Sequence, residues 1–133
     1  MNRFIEGYNK YYDIALKELK NGRKDSHYMW FIFPQIKGLG SSYNSNYYGL
    51  NGIDETKQFC NNDYLFNKLI NLVNVLLDLT IADPIKIFGV IDSRKLKSSM
   101  TIFYLASNNI LFKKVLDKFF NGELDKNTVE LIA

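Results

Sequence analysis

Charged residues lead directly into an aromatic run between Gly22 and Gly40, in the stretch GRKDSHYMWFIFPQIKGLG. This stretch contains the only histidine and the only tryptophan of the chain, His27 and Trp30. If a helix begins at Ser26, the two side chains share one helix face. A histidine beside an indole could donate to a phosphate, act as a general acid or stack on a base. A half-buried structural histidine is the alternative.

Two cations, Arg23 and Lys24, stand directly before that predicted helix. The free N–H groups at a helix N-terminus attract anions, and adjacent cations would strengthen such a site. Solvated cations without a ligand are the competing interpretation. The loop that follows, KGLGSSYNSNYYGLNG, supplies further N–H groups and hydroxyls that could cradle phosphate. It matches neither a Walker nor a dinucleotide-binding fingerprint, so an ordinary loop remains the alternative.

A second group of candidate residues lies in the stretch DSRKLKSSMT, which we expect to form a helix capped by Asp92. Lys95, Ser98 and Ser99 fall within the first turns of that helix. Adjacent serines are poor helix formers, so a ligand role stands beside the alternative of small residues that allow close packing. Glu55 is expected in the first turn of another short helix. It could orient a water or a ribose hydroxyl, or only complement the helix dipole.

The elements that must position these residues are helices. Apolar residues recur at helical spacing in YNKYYDIALKELKNG, DYLFNKLINLVNVLLDL and NILFKKVLDKFFNG, and a short terminal helix is expected in DKNTVELI, with Asn127 as its cap. The strand-like runs MWFIF and IKIFGVI are interpreted as buried helix turns, because no alternating pattern extends beyond about five residues. We therefore predict a mainly α fold: a compact single-domain bundle of about six to eight helices, several of them short, over residues 1–133.

Composition restricts the class of protein. The chain has 133 residues, 47% hydrophobic and 23% charged, which suits one globular domain. A formal net charge of +3 is too small to indicate nucleic-acid binding. One cysteine and one histidine exclude a disulfide framework and a zinc site of His and Cys ligands. A metal held mainly by carboxylates is the alternative, but no spacing indicates one, so we expect no metal or cofactor. Neither a signal peptide nor a bilayer-spanning run is present, so we expect a cytoplasmic protein without membrane contact.

Several segments together resemble one family. GRKDSHYMWFIFPQIKGLGSS, DSRKLKSSMTIF and VLDKFFNGELDKNT are similar to the bacterial and fungal family catalogued as domain of unknown function 1810, over roughly Phe4 to Leu131. The family usually has a second tryptophan where this chain has Tyr28. The resemblance implies a monomeric, mostly helical fold without an established activity. It also points to further motif residues as site candidates: Gln35, Ser42 and Tyr48. A fainter resemblance, to the NADAR family of helical proteins, implies ADP-ribose and N-glycosidic chemistry.

Three hypotheses about function follow. In the first, the protein binds or hydrolyses a phosphate-bearing nucleotide or nucleotide-sugar similar to ADP-ribose; as an enzyme it would be a hydrolase of an N-glycosidic or phosphate-bearing substrate. In the second, a non-catalytic module senses the same ligand. In the third, a protein-interaction or structural domain has no small-molecule ligand, and HYMWFIF is simply core.

The first hypothesis assigns a role to each candidate residue. The residues expected to hold phosphate are Arg23, Lys24, Lys95, Ser98 and Ser99. Those expected to complete the ligand site are Gln35, Ser42, Tyr48 and Trp30, with Trp30 stacking on a base. Those expected to act in catalysis are His27, as proton donor, and Glu55 or Asp92, as the carboxylate that activates water or steadies a developing oxocarbenium charge.

Overall fold

A long first helix forms because apolar side chains return every three or four residues in the N-terminal stretch. The computed structural model describes all 133 residues, Met1–Ala133. Its eight helices are α1 (Asn2–Lys20), α2 (Met29–Ile32), α3 (Tyr43–Tyr48), α4 (Gly52–Cys60), α5 (Asp63–Asp78), α6 (Pro84–Ser107), α7 (Ile110–Phe120) and α8 (Lys126–Ile132). There is no β-sheet, only one isolated bridge between Ile36 and Leu50. The predicted mainly α fold with several short helices is confirmed.

One hydrophobic core of 28 buried residues joins the helices. The periodic face predicted for α5 is the face it buries, including Leu65, Leu69 and Leu72. Aromatic rings fill much of the remaining volume; Phe59 and Phe103 meet edge to face, with ring centroids 5.0 Å apart. No helix combines the length and the apolar character needed to cross a membrane. The close-packed core provides a rigid support for the polar residues on the surface.

The helix predicted from Ser26 begins later than expected. The carboxylate of Glu18, near the end of α1, accepts hydrogen bonds from the N–H groups of Asp25 (2.9 Å) and Ser26 (3.0 Å). These bonds hold the segment against α1 and delay the helix to Met29–Ile32. His27 consequently lies outside the helix, exposed to solvent, and does not share a helix face with the aromatic residues that follow.

Helix α6 is broken at Gly89, and this break changes the predicted role of Asp92. Gly89 has φ 78° and ψ 172°, a conformation that side chains with a Cβ rarely adopt, so the residue interrupts the helix. The helix resumes directly after it. Asp92 is therefore inside the first turn of the resumed helix and does not cap it, contrary to the sequence prediction. Its carboxylate is free to pair with lysines instead.

The loop predicted from Lys37 to Gly52 contains a helix that sequence reasoning missed. The six residues of α3, YNSNYY, lack an apolar period, but Ser42 caps them by accepting a hydrogen bond from the Ser45 N–H (3.1 Å). This turn packs against α2. It forms one wall of the cavity described below.

Candidate functional site

The main cavity, of about 540 Å³, lies between the α2–α3 segment, the middle of α6 and the start of α8. Its volume falls within the range of small-molecule sites, roughly 300–1,000 Å³. The polar and aromatic side chains of its lining include Trp30, Gln35, Ser45, Tyr48, Arg94, Lys95, Lys97, Ser98 and Asp125. All three cations of the lining, Arg94, Lys95 and Lys97, come from neighbouring positions of α6.

The charge of the lining is predominantly positive. Arg94, Lys95 and Lys97 line the cavity together with a single carboxylate, that of Asp125. Lys97 is partly neutralised by Glu123, whose carboxylate lies 3.2 Å away. Concave surfaces with an excess of one charge concentrate ions of the opposite sign. The lining therefore favours an anionic ligand.

Lys95 is held in place without using its hydrogen-bond donors. Its Nζ lies 3.8 Å from the centroid of the Trp30 ring and 3.5 Å from Oδ1 of Asp92, with no hydrogen bond to any protein group. The cation–π contact positions the ammonium on the indole. Trp30 thus carries Lys95 on one ring face, and the predicted stacking of a base on that face would require Lys95 to move away.

Lys24 and Lys95 share the carboxylate of Asp92, and Lys24 makes the shorter contact with it. Its Nζ donates to Oδ2 of Asp92 at 2.7 Å, and its side chain is only 5% exposed. It also lies over the ring of Tyr28, 4.9 Å from the centroid. Lys24 is therefore a buried partner behind the cavity wall. Because the short hydrogen bond of Asp92 is to Lys24, the N–H donors of Lys95 stay available to a ligand.

Two buried polar side chains face the cavity with unused hydrogen-bonding capacity. Gln35 and Ser45 are each 6% exposed, and both line the cavity. The Gln35 side-chain nitrogen donates to the carbonyls of Met29 (3.1 Å) and Phe33, whereas its oxygen has no protein partner. The Ser45 hydroxyl makes no hydrogen bond to the protein. A Cβ at Gly40 would come within 3.0 Å of that hydroxyl, so glycine keeps it accessible.

Asp125 is the carboxylate that sequence reasoning missed. Its Oδ2 accepts hydrogen bonds from the N–H (3.0 Å) and the hydroxyl (2.6 Å) of Thr128 and from the hydroxyl of Ser98 (3.1 Å). It therefore caps α8, in place of the predicted Asn127, and fixes that helix against α6. Its Oδ1 has no hydrogen-bond partner in the protein. An aspartate three residues before a threonine at a helix start was the available signal.

Glu55 lies outside the cavity and has a structural environment. Arg3 donates two hydrogen bonds to its carboxylate, at 2.6 and 3.3 Å, and the N–H of Asn51 donates a third at 3.0 Å. Burial raises the pKa of Glu55, but these donors outweigh burial and hold the pKa below its ordinary value. Arg3 also donates to the carbonyl of Gly49 at 3.1 Å, so the pair ties α1 to the back of the cavity.

The remaining predicted residues are distributed as follows. Exposed Arg23 pairs with Asp25 at 3.3 Å, and exposed His27 lies away from the cavity. Ser99 is fully buried and has no hydrogen-bond partner, consistent with a packing role. The predicted residues that the structure brings to the cavity are Trp30, Gln35, Tyr48, Lys95 and Ser98, with Asp92 directly behind. Those it does not bring there are Arg23, Lys24, His27, Ser42, Glu55 and Ser99.

The site has no arrangement suited to a metal ion. No group of three or more His, Cys, Asp or Glu side chains lies close enough together to hold one. The only cysteine, Cys60, is half-buried elsewhere, and burial raises the pKa of its thiol to about 11. The chemistry available at the cavity is therefore that of cations, neutral hydrogen-bonding groups and one carboxylate.

Together, the fold and the cavity define an all-α protein with a cationic, polar cleft beside its second and sixth helices. The chain belongs to the family described as "Protein of unknown function (DUF1810)", which matches residues 1–132. The 1.38 Å crystal structure of the conserved hypothetical protein Rv1873 from Mycobacterium tuberculosis is similar, with 36% identity and a TM-score of 0.96 over 98% of this chain and 94% of that chain. No curated protein matches. The resemblance to the first family is confirmed, and the likeness to NADAR finds no support.

Proposed function

We propose that this protein binds a small phosphate-bearing molecule, of nucleotide or nucleotide-sugar type, in the cavity beside α6. The observation that carries the proposal is the presence of Lys95, whose ammonium is positioned on Trp30 with all its donors unused. A cation that is fixed, partly shielded and paired only at 3.5 Å with a carboxylate that Lys24 already engages is prepared for an anion. Charge-assisted hydrogen bonds to such a group are about twice as strong as neutral ones.

Arg94 supplies the second phosphate contact. It precedes Lys95 in α6, lines the cavity and forms no ion pair with any carboxylate of the protein. A guanidinium presents donors in a planar fork that matches two oxygens of one phosphate. Lys97 adds positive charge at the same wall, reduced by its pairing with Glu123. In this proposal the phosphate-binding group is Arg94 and Lys95. Of the three cations predicted to hold phosphate, Lys95 lines the cavity, whereas Arg23 and Lys24 do not.

Binding without hydrolysis is the better-supported form of this function. The two carboxylates assigned to catalysis from the sequence are each engaged, Glu55 by Arg3 and Asp92 by Lys24. Neither of them lines the cavity, and a carboxylate whose oxygens are engaged by a cation is less available to activate a water. The predicted proton donor, His27, lies away from the cavity.

Hydrolysis remains a second candidate because of Asp125. This carboxylate lines the cavity, and its Oδ1 makes no hydrogen bond to the protein. It could orient a water molecule towards a glycosidic or phosphate-bearing substrate. Asp125→Asn tests this cleanly, since asparagine caps a helix about as well as aspartate. Turnover lost with affinity retained would assign Asp125 a catalytic role.

A thermal-shift screen tests the proposal. Nucleotides, ADP-ribose, NAD and sugar phosphates are compared, and every stabilising compound is then incubated and examined for products. A ligand at about 100 times its Kd stabilises by about 2.7 kcal/mol, or about 10 °C in a domain of this size. Stabilisation without product supports a binding module. Lack of stabilisation by any compound would favour an interaction domain instead.

A further inference from the structure

We propose that Gln35 determines which phosphate-bearing ligand is accepted, by requiring a hydrogen-bond donor on the part of the ligand that reaches the inner wall. This inference rests on the proposed function and specifies its ligand class. The class is a phosphorylated molecule that also carries a hydroxyl or amino group, such as a nucleotide. This selection depends on the orientation of one buried amide.

The Gln35 side chain can present only an acceptor to the cavity. Its nitrogen donates to the main-chain carbonyls of Met29 and Phe33, at the two ends of the short helix α2. Turning the amide over would place its oxygen against these two carbonyl oxygens. The Phe33 carbonyl would then have no donor, and the Met29 carbonyl would keep only the N–H of Phe33 (3.2 Å). The orientation is therefore determined by the backbone. The side-chain oxygen remains, with no donor anywhere in the protein.

Burial makes this acceptor selective. The Gln35 residue is 6% exposed, and it meets the ligand space only through the cavity that it lines. A ligand that excludes water from this wall without offering a donor leaves the oxygen unpaired, whereas an O–H or N–H group satisfies it. Sites of this construction reject analogues that lack the hydrogen-bonding group much better than apolar pockets reject a missing methylene.

The two walls of the cavity consequently bind opposite kinds of group: one wall supplies hydrogen-bond donors, and the other supplies an acceptor. Arg94 and Lys95, on α6, offer only donors and suit the oxygens of a phosphate. Gln35, on the opposite segment, offers only an acceptor. The Ser45 hydroxyl, which lines the same cavity, can rotate to donate or accept, so it does not select between the two. A molecule with anions at both ends, such as a bisphosphate, satisfies the first wall and is repelled by the oxygen of the second.

The test is a set of calorimetric titrations with AMP and three analogues that each lack one donor. The analogues are deoxy-AMP and cordycepin monophosphate, each lacking one ribose hydroxyl, and purine riboside monophosphate, which lacks the amino group. In the wild-type protein, we expect AMP to bind and one analogue to bind about 5- to 150-fold more weakly. In Gln35→Met, that analogue and AMP should bind equally, because the acceptor is gone.

Control variants separate recognition from folding. Gln58→Met makes the same change at an exposed position of α4 and should leave the discrimination intact. If Gln35→Met does not fold, Gln35→Asn withdraws the acceptor while keeping an amide, and the same loss of discrimination is expected. Equal binding of all four compounds by the wild-type protein, or discrimination that survives in the Gln35 variants, overturns this inference alone. Failure of all four to bind overturns this inference, and the proposed function falls with it if the thermal-shift screen also finds no stabilising compound.

Discussion

Replacing Glu55 with Gln distinguishes a structural carboxylate from a catalytic one. Glu55 was a catalytic candidate from its sequence position, but in the structure it accepts hydrogen bonds from Arg3 and from the Asn51 N–H. The side chains of the pair are 15% and 16% exposed, so water can replace the lost partner only in part. A glutamine in this position carries no charge and leaves the Arg3 guanidinium without a counter-ion.

The size of the effect follows from this partial burial. Exposed ion pairs contribute about 0–1 kcal/mol, whereas removing one partner of a fully buried pair costs about 3–5 kcal/mol. The Arg3–Glu55 pair lies between these limits, so we expect Glu55→Gln to lower the free energy of unfolding by about 1–3 kcal/mol. In a domain of this length that corresponds to a Tm lower by about 4–12 °C.

Urea unfolding followed by circular dichroism measures this loss, and Glu6→Gln is the matched control. Glu6 is on the same helix as Arg3, is exposed and forms no ion pair, so its replacement should change stability by no more than about 0.5 kcal/mol. A double-mutant cycle with Arg3→Met should show that the two losses are not additive. Unchanged stability in Glu55→Gln, accompanied by loss of any activity found in the screen, would refute the structural assignment.

Three further predictions concern the framework around the cavity. The pKa values of Glu18 and Glu55 are lowered in the folded state, so their contribution to the free energy of unfolding is present above the ordinary glutamate pKa of 4.5 and is lost as the pH falls below it. Urea midpoints measured from pH 7 downward should fall accordingly, and the difference between the wild type and Glu55→Gln should shrink towards low pH. Lys118 donates to three main-chain carbonyls at the end of α5, so Lys118→Met should cost about 2–3 kcal/mol and loosen that helix end, as read by hydrogen exchange; unaltered exchange there would argue against the assignment. Gly89→Ala should cost about 1–3 kcal/mol in urea unfolding, because the glycine has φ 78° although a Cβ would meet no atom within 4 Å; an equally stable variant would mean that the break does not need glycine.

The helices could be predicted largely because they are amphipathic. The faces of α1, α5 and α7 follow the apolar spacing of the sequence, and the family resemblance is confirmed over residues 1–132. The short elements could not be predicted in the same way. Helix α3 has no apolar period. Helix α2 begins late because the carboxylate of Glu18, on α1, accepts a hydrogen bond from the N–H group of Ser26.

The candidate site could be predicted only in part, for the same reason. Trp30 and Lys95 are predicted from their residue types and Gln35 from the family resemblance, but the roles of all three depend on contacts between segments. No sequence pattern shows that Lys95 rests on Trp30, or that Arg3 pairs with Glu55 across the fold. Pairing of charges that are far apart in the chain decides which of them are left for a ligand.

Titration of ADP-ribose and AMP against the fluorescence of Trp30 tests the central claim most directly, since this is the only tryptophan of the chain. We expect a saturable change in Trp30 fluorescence in the wild-type protein, because a phosphate that binds Lys95 alters the charge next to the indole ring. Lys95→Met should weaken binding by about 10- to 150-fold, whereas Lys114→Met, at an exposed position of α7, should leave it unchanged. A fluorescence signal that does not respond to either compound, or a Lys95→Met variant that binds as tightly as the wild type, would contradict the account.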